Sequence, residues 1–161
     1  MRADRFTLKS QEALEMAQNT AASRGNPQVD TEHLLHAIVS DPEGITSEVL
    51  KKLGVDPQRI QVDIESALEK LPSQSGAVAD RYFSSGLRSV LEAAFKEMEQ
   101  LKDEYVSVEH MLISLAEISG TGAHRILSKQ GVTKDRIYSV LTDIRGTQRV
   151  TDQNPEEKYQ A

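Results

Sequence analysis

The chain of 161 residues has no cysteine and no tryptophan, and only three phenylalanines and four tyrosines. Without cysteine, neither a disulfide framework nor a thiolate metal site can form. That suits a reducing compartment, and a cytoplasmic location is expected. No stretch approaches the ~20 consecutive apolar residues of a membrane span. The opening Met1-Arg2-Ala3-Asp4-Arg5 has no apolar run of the secretory type. With 25 acidic against 19 basic side chains, the net charge is -6. A nucleic-acid partner calls for a basic stripe to neutralise phosphates and aromatic rings to stack bases, and neither is present.

Catalytic signatures are missing as well. There is no Gly-x-x-x-x-Gly-Lys-Ser/Thr loop, no Gly-x-Gly-x-x-Gly turn and no Gly-x-Ser-x-Gly elbow. The expectation is a non-catalytic chain with no cofactor and no metal of its own. His33 and His36 lie three residues apart beside Glu32. Their order, Glu-His-Leu-Leu-His, is not the His-Glu-x-x-His of a zinc helix, so they read as polar residues of a first helical turn.

What is present is helical periodicity. Leu8, Ala13, Leu14, Ala17 and Ala21 mark a first helix stopped by Gly25-Asn26-Pro27. Asp30 caps a second, which carries Leu34, Leu35 and Ile38. A third runs from about Thr46 to Leu53 and closes at Gly54. Asp56-Pro57 opens a fourth, with Ile60, Ile64, Leu68 and Leu71 on one face. After a Ser/Gly-containing loop at Ser73–Asp80 the pattern restarts. Helices are predicted over about Ser84–Lys102, from Ser107, near Ala123–Gln130 and over Lys134–Ile144. No run alternates with the period of a strand.

The restart is a repeat. A constant shift of 77 positions places Phe6 on Phe83, Leu14 on Leu91, Val29 on Val106, Glu32-His33 on Glu109-His110, Leu50 on Leu127 and Gly54-Val55 on Gly131-Val132. The predicted fold is therefore all-α, with eight helices arranged as two pseudo-twofold-related four-helix repeats. Repeat one covers about 6–71 and repeat two about 83–145, within a domain of 1–146. One unit of about 65 residues buries too little surface to be secure alone, and two can bury each other's open faces. Once paired they leave no apolar stripe, so a monomer is expected. Residues 147–161 are polar and aperiodic with Pro155, the composition of a flexible linker.

Glu32 and Glu109 fall in the first turn of each repeat's second helix. Carboxylates there offset the helix dipole. Two symmetry-related ones could also flank an inter-repeat groove and hold a cationic group.

The opening Met-Arg-x-Asp-Arg-Phe-Thr-x-Lys-Ser-Gln-Glu-Ala-Leu, the duplicated Glu-His-Leu/Met-Leu and the tail Arg-Val-Thr-Asp-Gln-Asn-Pro-Glu-Glu-Lys-Tyr-Gln-Ala resemble the ClpB family of AAA+ protein disaggregases. The repeat resembles the Clp N-domain repeat. The resemblance implies a mobile recruiting domain that weakly binds unfolded or aggregated polypeptide in an inter-repeat groove. It implies an ATPase module after the linker, where ATP and Mg would bind, and a hexameric full-length protein that works with the Hsp70 chaperone system through other domains. Thr7, Asp103 and Glu109 match positions implicated in the family's substrate handling, and Glu32 joins them as the counterpart of Glu109. His110 stands where some members carry leucine, which implies a more polar groove edge. The alternative is an adaptor-docking or phosphoarginine-reading N-domain of a ClpA/ClpC-type unfoldase.

Overall fold

A computed structural model describes residues 3–74, 81–146 and 148–156. The Ser73–Asp80 loop from residue 75 onward, Thr147 and residues 157–161 lie outside the described residues. Among the described residues, eight α-helices follow a short 3-10 turn: α1 (Leu8–Ser23), α2 (Thr31–Val39), α3 (Ile45–Lys52), α4 (Pro57–Glu69), α5 (Ser85–Gln100), α6 (Val108–Glu117), α7 (Gly122–Lys129) and α8 (Lys134–Arg145). The bounds depart from the sequence reading by a residue or two, within the ordinary fraying of helix ends.

Local chemistry explains where the helices begin. Thr7 Oγ1 accepts from the Ser10 amide at the start of α1, and Ser84 Oγ accepts from the Leu87 amide at the start of α5. These two caps are 77 positions apart. Asp30 and Ser107 open α2 and α6, and each helix has a histidine as its third residue. His33 Nδ1 accepts from the Asp30 amide at 2.9 Å, and His110 Nδ1 accepts from the Ser107 amide at 2.8 Å. A histidine here does the work usually given to glutamate in a capping box.

Helices α2 and α6 are buried almost all round: every residue of α2 except His36, and every residue of α6 except Glu117, is buried. A helix without a solvent face belongs at the centre, and the other six wrap this pair. The pseudo-twofold relation is visible in the packing, since α2 lies on α7 as α6 lies on α3, and α4 meets α7 as α8 meets α3.

The seam also contains extended backbone that the sequence reading omitted. Strand β1 (Gln28–Val29) runs parallel to β2 (Tyr82–Phe83), and Phe6 makes an isolated parallel bridge to Val106. The Val29–Phe83 and Phe6–Val106 pairs are one contact made twice. The Ser84 amide donates to Val29 O at 2.9 Å, and the Thr7 amide donates to Val106 O at 3.0 Å.

Candidate functional site

The tail read as the start of a linker is, over residues 148–156, laid on the domain. The Leu8 amide donates to Gln153 O at 2.7 Å, and the Glu104 amide donates to Val150 O at 2.7 Å. Val150 is fully buried and Glu156 nearly so. Composition alone predicts neither contact, because the tail's burial rests on a few isolated side chains.

This strap gathers three of the four residues singled out from the sequence. Thr7 is fully buried, and its Oγ1 donates to Glu156 Oε1 at 2.8 Å. The same carboxylate oxygen lies 3.4 Å from the Val108 amide, at the first turn of α6. Asp103 accepts from the Val150 amide and from Arg145 Nη2 through Oδ1, at 2.8 and 2.7 Å, while Oδ2 lies 2.7 Å from His110 Nε2. Glu109 is fully buried with Arg145 Nε 3.7 Å from its Oε2. Among the described residues, neither oxygen of Glu109, nor Oε2 of Glu156, has a hydrogen-bond partner.

The electrostatics follow from burial and charge. Burial alone would raise the Asp103 carboxyl, but hydrogen bonds from His110 and Arg145, and the Val150 amide, outweigh it and hold the group below its ordinary value. Glu156 goes the other way: burial first, and the charge of Glu109 second, push it up to about 7.

Glu32 holds the counterpart position in repeat one but has different surroundings. Its Oε1 accepts from Thr31 Oγ1 at 3.0 Å, and its carboxylate lies against Gly122 at the start of α7. Burial, then the charge of Asp30, raises its pKa, and Arg125 partly opposes that. It lines a hollow of about 530 Å³ with Lys70, Gly122, Arg125 and Lys129 on its walls. The two glutamates thus occupy equivalent places without sharing a site.

His110 is fully buried and bonded to Asp103 and Ser107. It does not form a polar groove edge, which corrects the reading made from sequence. His33 is likewise buried, with Nε2 2.8 Å from Asn26 Oδ1. Among the described residues no group of three or more His, Cys, Asp or Glu side chains is placed to hold a metal. None of the described helices is long and apolar enough to cross a membrane.

An apolar hollow of about 280 Å³ lies beside the strap, between α1, α2 and the start of α3. Ala13, Met16, Ala37, Ile38 and Ile45 line it from repeat one. Val108 closes it from repeat two and Glu156 from the strap. Met16, 37% exposed, is one of few large apolar side chains open to solvent. The sequence offered no signal for this hollow, since Ala13 and Ile38 belong to the apolar positions that mark the first two helices.

Residues 5–130 match the family model of the Clp repeat N-terminal domain. The chain belongs to that family. The domain is an accessory one, so the chain is non-catalytic on that ground. It is similar along nearly its whole length to ClpB chaperones. The Bacillus cereus protein is 38% identical over 161 residues and the Rhodopirellula baltica protein 41% over 160, covering 98% and 99% of this chain. The chain spans 18% of the length of either relative. Among solved structures, the Hsp104 N-terminal domain from Candida albicans superposes with a TM-score of 0.83 at 24% identity, covering 94% of this chain and 98% of that one. A complex of the ClpV N-domain with a VipB peptide matches with a TM-score of 0.67 at 18% identity, covering 86% and 85%. Both share the fold.

Proposed function

We propose that the domain recruits unfolded or aggregated polypeptide for a ClpB-type, ATP-driven disaggregase, and that the apolar hollow beside the strap is where the client rests. The observation that carries this is the hollow itself: an apolar concavity with Met16 exposed at its rim and charged groups, Lys9, Glu12 and Asp41, around it. Such a surface accepts many apolar segments weakly, as a recruiter must if it is to release them. A protein of the same fold has been captured with a peptide bound, which supports the reading. In it Thr7, Asp103 and Glu109 act through the strap that walls the hollow, and Glu32 serves a separate surface. Partnership with the Hsp70 system, hexamer formation, and ATP with Mg belong to the parts of ClpB-type proteins outside this chain.

Titrating the isotope-labelled domain with an unfolded client should shift Met16, Ile38, Ile45 and Val108 together. Met16→Glu should weaken binding about fivefold, a loss of roughly 1 kcal/mol, with no change in thermal stability. An absence of shifts at millimolar client overturns the proposal. The phosphoarginine alternative is disfavoured at Glu109, which is sealed from solvent and already faces Arg145.

A further inference from the structure

The two halves of the molecule solve one problem in different ways. In one half, Asp30 Oδ1 accepts from the Thr31 amide at 2.8 Å and from Ser84 Oγ at 2.8 Å, so a single carboxylate joins the first turns of α2 and α5. The shift of 77 carries Thr31 to Val108 and Ser84 to Thr7, and carries Asp30 to Ser107. Serine brings no carboxylate. The matching seat, between the Val108 amide and Thr7 Oγ1, is taken by Glu156.

We propose that residues 148–156 form a releasable strap whose Glu156 fills the seat left by Ser107, and whose departure opens the apolar hollow to a client. Asp30 reaches its seat from within its own helix start, whereas Glu156 reaches its seat from beyond the last helix. Its contact to the Val108 amide is 3.4 Å against 2.8 Å for the Thr31 counterpart. Three carboxylate oxygens of Glu109 and Glu156 are buried without hydrogen-bond partners among the described residues, which makes the docked arrangement costly when both are ionised. Glu156 also walls the hollow beside Val108, so removing it enlarges the apolar surface.

The charges facing Glu156 determine when release occurs. Glu109 on α6 repels it, with Arg145 of α8 beyond. Lys9 and Glu12 of α1 and Asp41 before α3 share the hollow with it. Its carboxyl is raised from 4.5 to about 7 when docked. A raised carboxyl favours docking fully below the undocked value, and that advantage is lost as pH climbs through the docked value. The strap is therefore held in acid and loosened between about pH 4.5 and 7.

The regulatory half of this inference rests on the hollow being the client site, and the test separates the two. Heteronuclear NOE values for the Val150 and Gln153 amides report strap motion without any client. In the wild type they should match the helices at pH 5 and drop at pH 8, while in Glu156→Gln, which is neutral throughout, they should stay high at both. Client affinity should rise about tenfold from pH 5 to pH 8 in the wild type and stay flat in Glu156→Gln. Val150→Asp, which puts a charge where the strap is buried, should free the strap at pH 5 and bind client there as tightly as the wild type does at pH 8. Wild-type values equal at the two pH points, a Glu156→Gln strap that loosens as the wild type does, or a Val150→Asp strap that stays rigid each overturn the latch. Strap release with no client shifts at either pH sustains the latch and overturns the reading of the hollow.

Discussion

Asp103 stands in the second repeat where Asn26 stands in the first, and each lies against Nε2 of its own repeat's buried capping histidine, at 2.7 and 2.8 Å. The exchange of amide for carboxylate is what lets one half hold Arg145 and the Val150 amide while the other holds neither.

Asp103→Asn should cost about 1–3 kcal/mol, because an amide NH₂ would meet donors from Arg145, Val150 or His110. Urea unfolding at neutral pH measures it. The wild-type carboxyl is depressed in the fold, so its stabilisation is complete above the ordinary value of 3.8 and lost as pH falls through the folded one. The difference between variant and wild type should shrink in strong acid.

Asn26→Asp tests the same relationship from the other side. Burial, ahead of nearby charges, holds His33 down at about 4 from 6.5. The unfolded chain therefore takes up a proton before the fold does, and stability should decline as pH drops from 6.5 towards 4. A carboxylate at position 26 should move the His33 titration up by roughly one pH unit or more. The imidazole Cε1 proton resonance follows it directly.

Gly122 is tight for a reason unrelated to its backbone angles: a Cβ there would overlap the Glu32 carboxylate. Gly122→Ala should cost about 1 kcal/mol, because the atoms in the way are the far end of the flexible Glu32 side chain, which can swing into the neighbouring hollow. Glu32→Ala should remove most of that penalty, so a double-mutant cycle in urea should show strong coupling between positions 32 and 122.

Lys102 is the counterpart of Gly25, and both take a positive φ, of 58° and 72°. This conformation costs a side-chain-bearing residue about 1–2 kcal/mol, and Lys102 is exposed. Lys102→Gly should accordingly raise stability by about 0.5–1 kcal/mol, the strain relief less the added chain entropy of glycine. Thermal unfolding at low protein concentration checks the sign.

Most of the helical architecture was legible in the residues. Caps such as Asp30 and Asp56 and closing glycines such as Gly54 and Gly131 act within one turn of where they stand, so their effect is local. The parallel seam was not, because strands of two residues are too short to show a period. Thr7 and Asp103 were found only through family resemblance. Their place in the structure depends on Glu156 and Val150, more than 40 residues away from Asp103 and farther still from Thr7. Nothing in a polar tail marks one valine and one glutamate as destined for burial. Arg145 lies just past the predicted end of the eighth helix, and only the fold brings it to Asp103 and Glu109.

The double contact Phe6–Val106 and Val29–Phe83 has the form of an isologous dimer interface, in which residue i meets j and j meets i. Written into one chain, association no longer depends on protein concentration, because the partner is always tethered at a high effective concentration. Identical subunits must change together, since every substitution appears on both sides of the axis. A fused pair is free of that constraint. Asn26 and Asp103, Asp30 and Ser107, and Gly25 and Lys102 show how the freedom was used. One half kept a self-sufficient helix start, and the other became a socket that depends on the segment after the last helix.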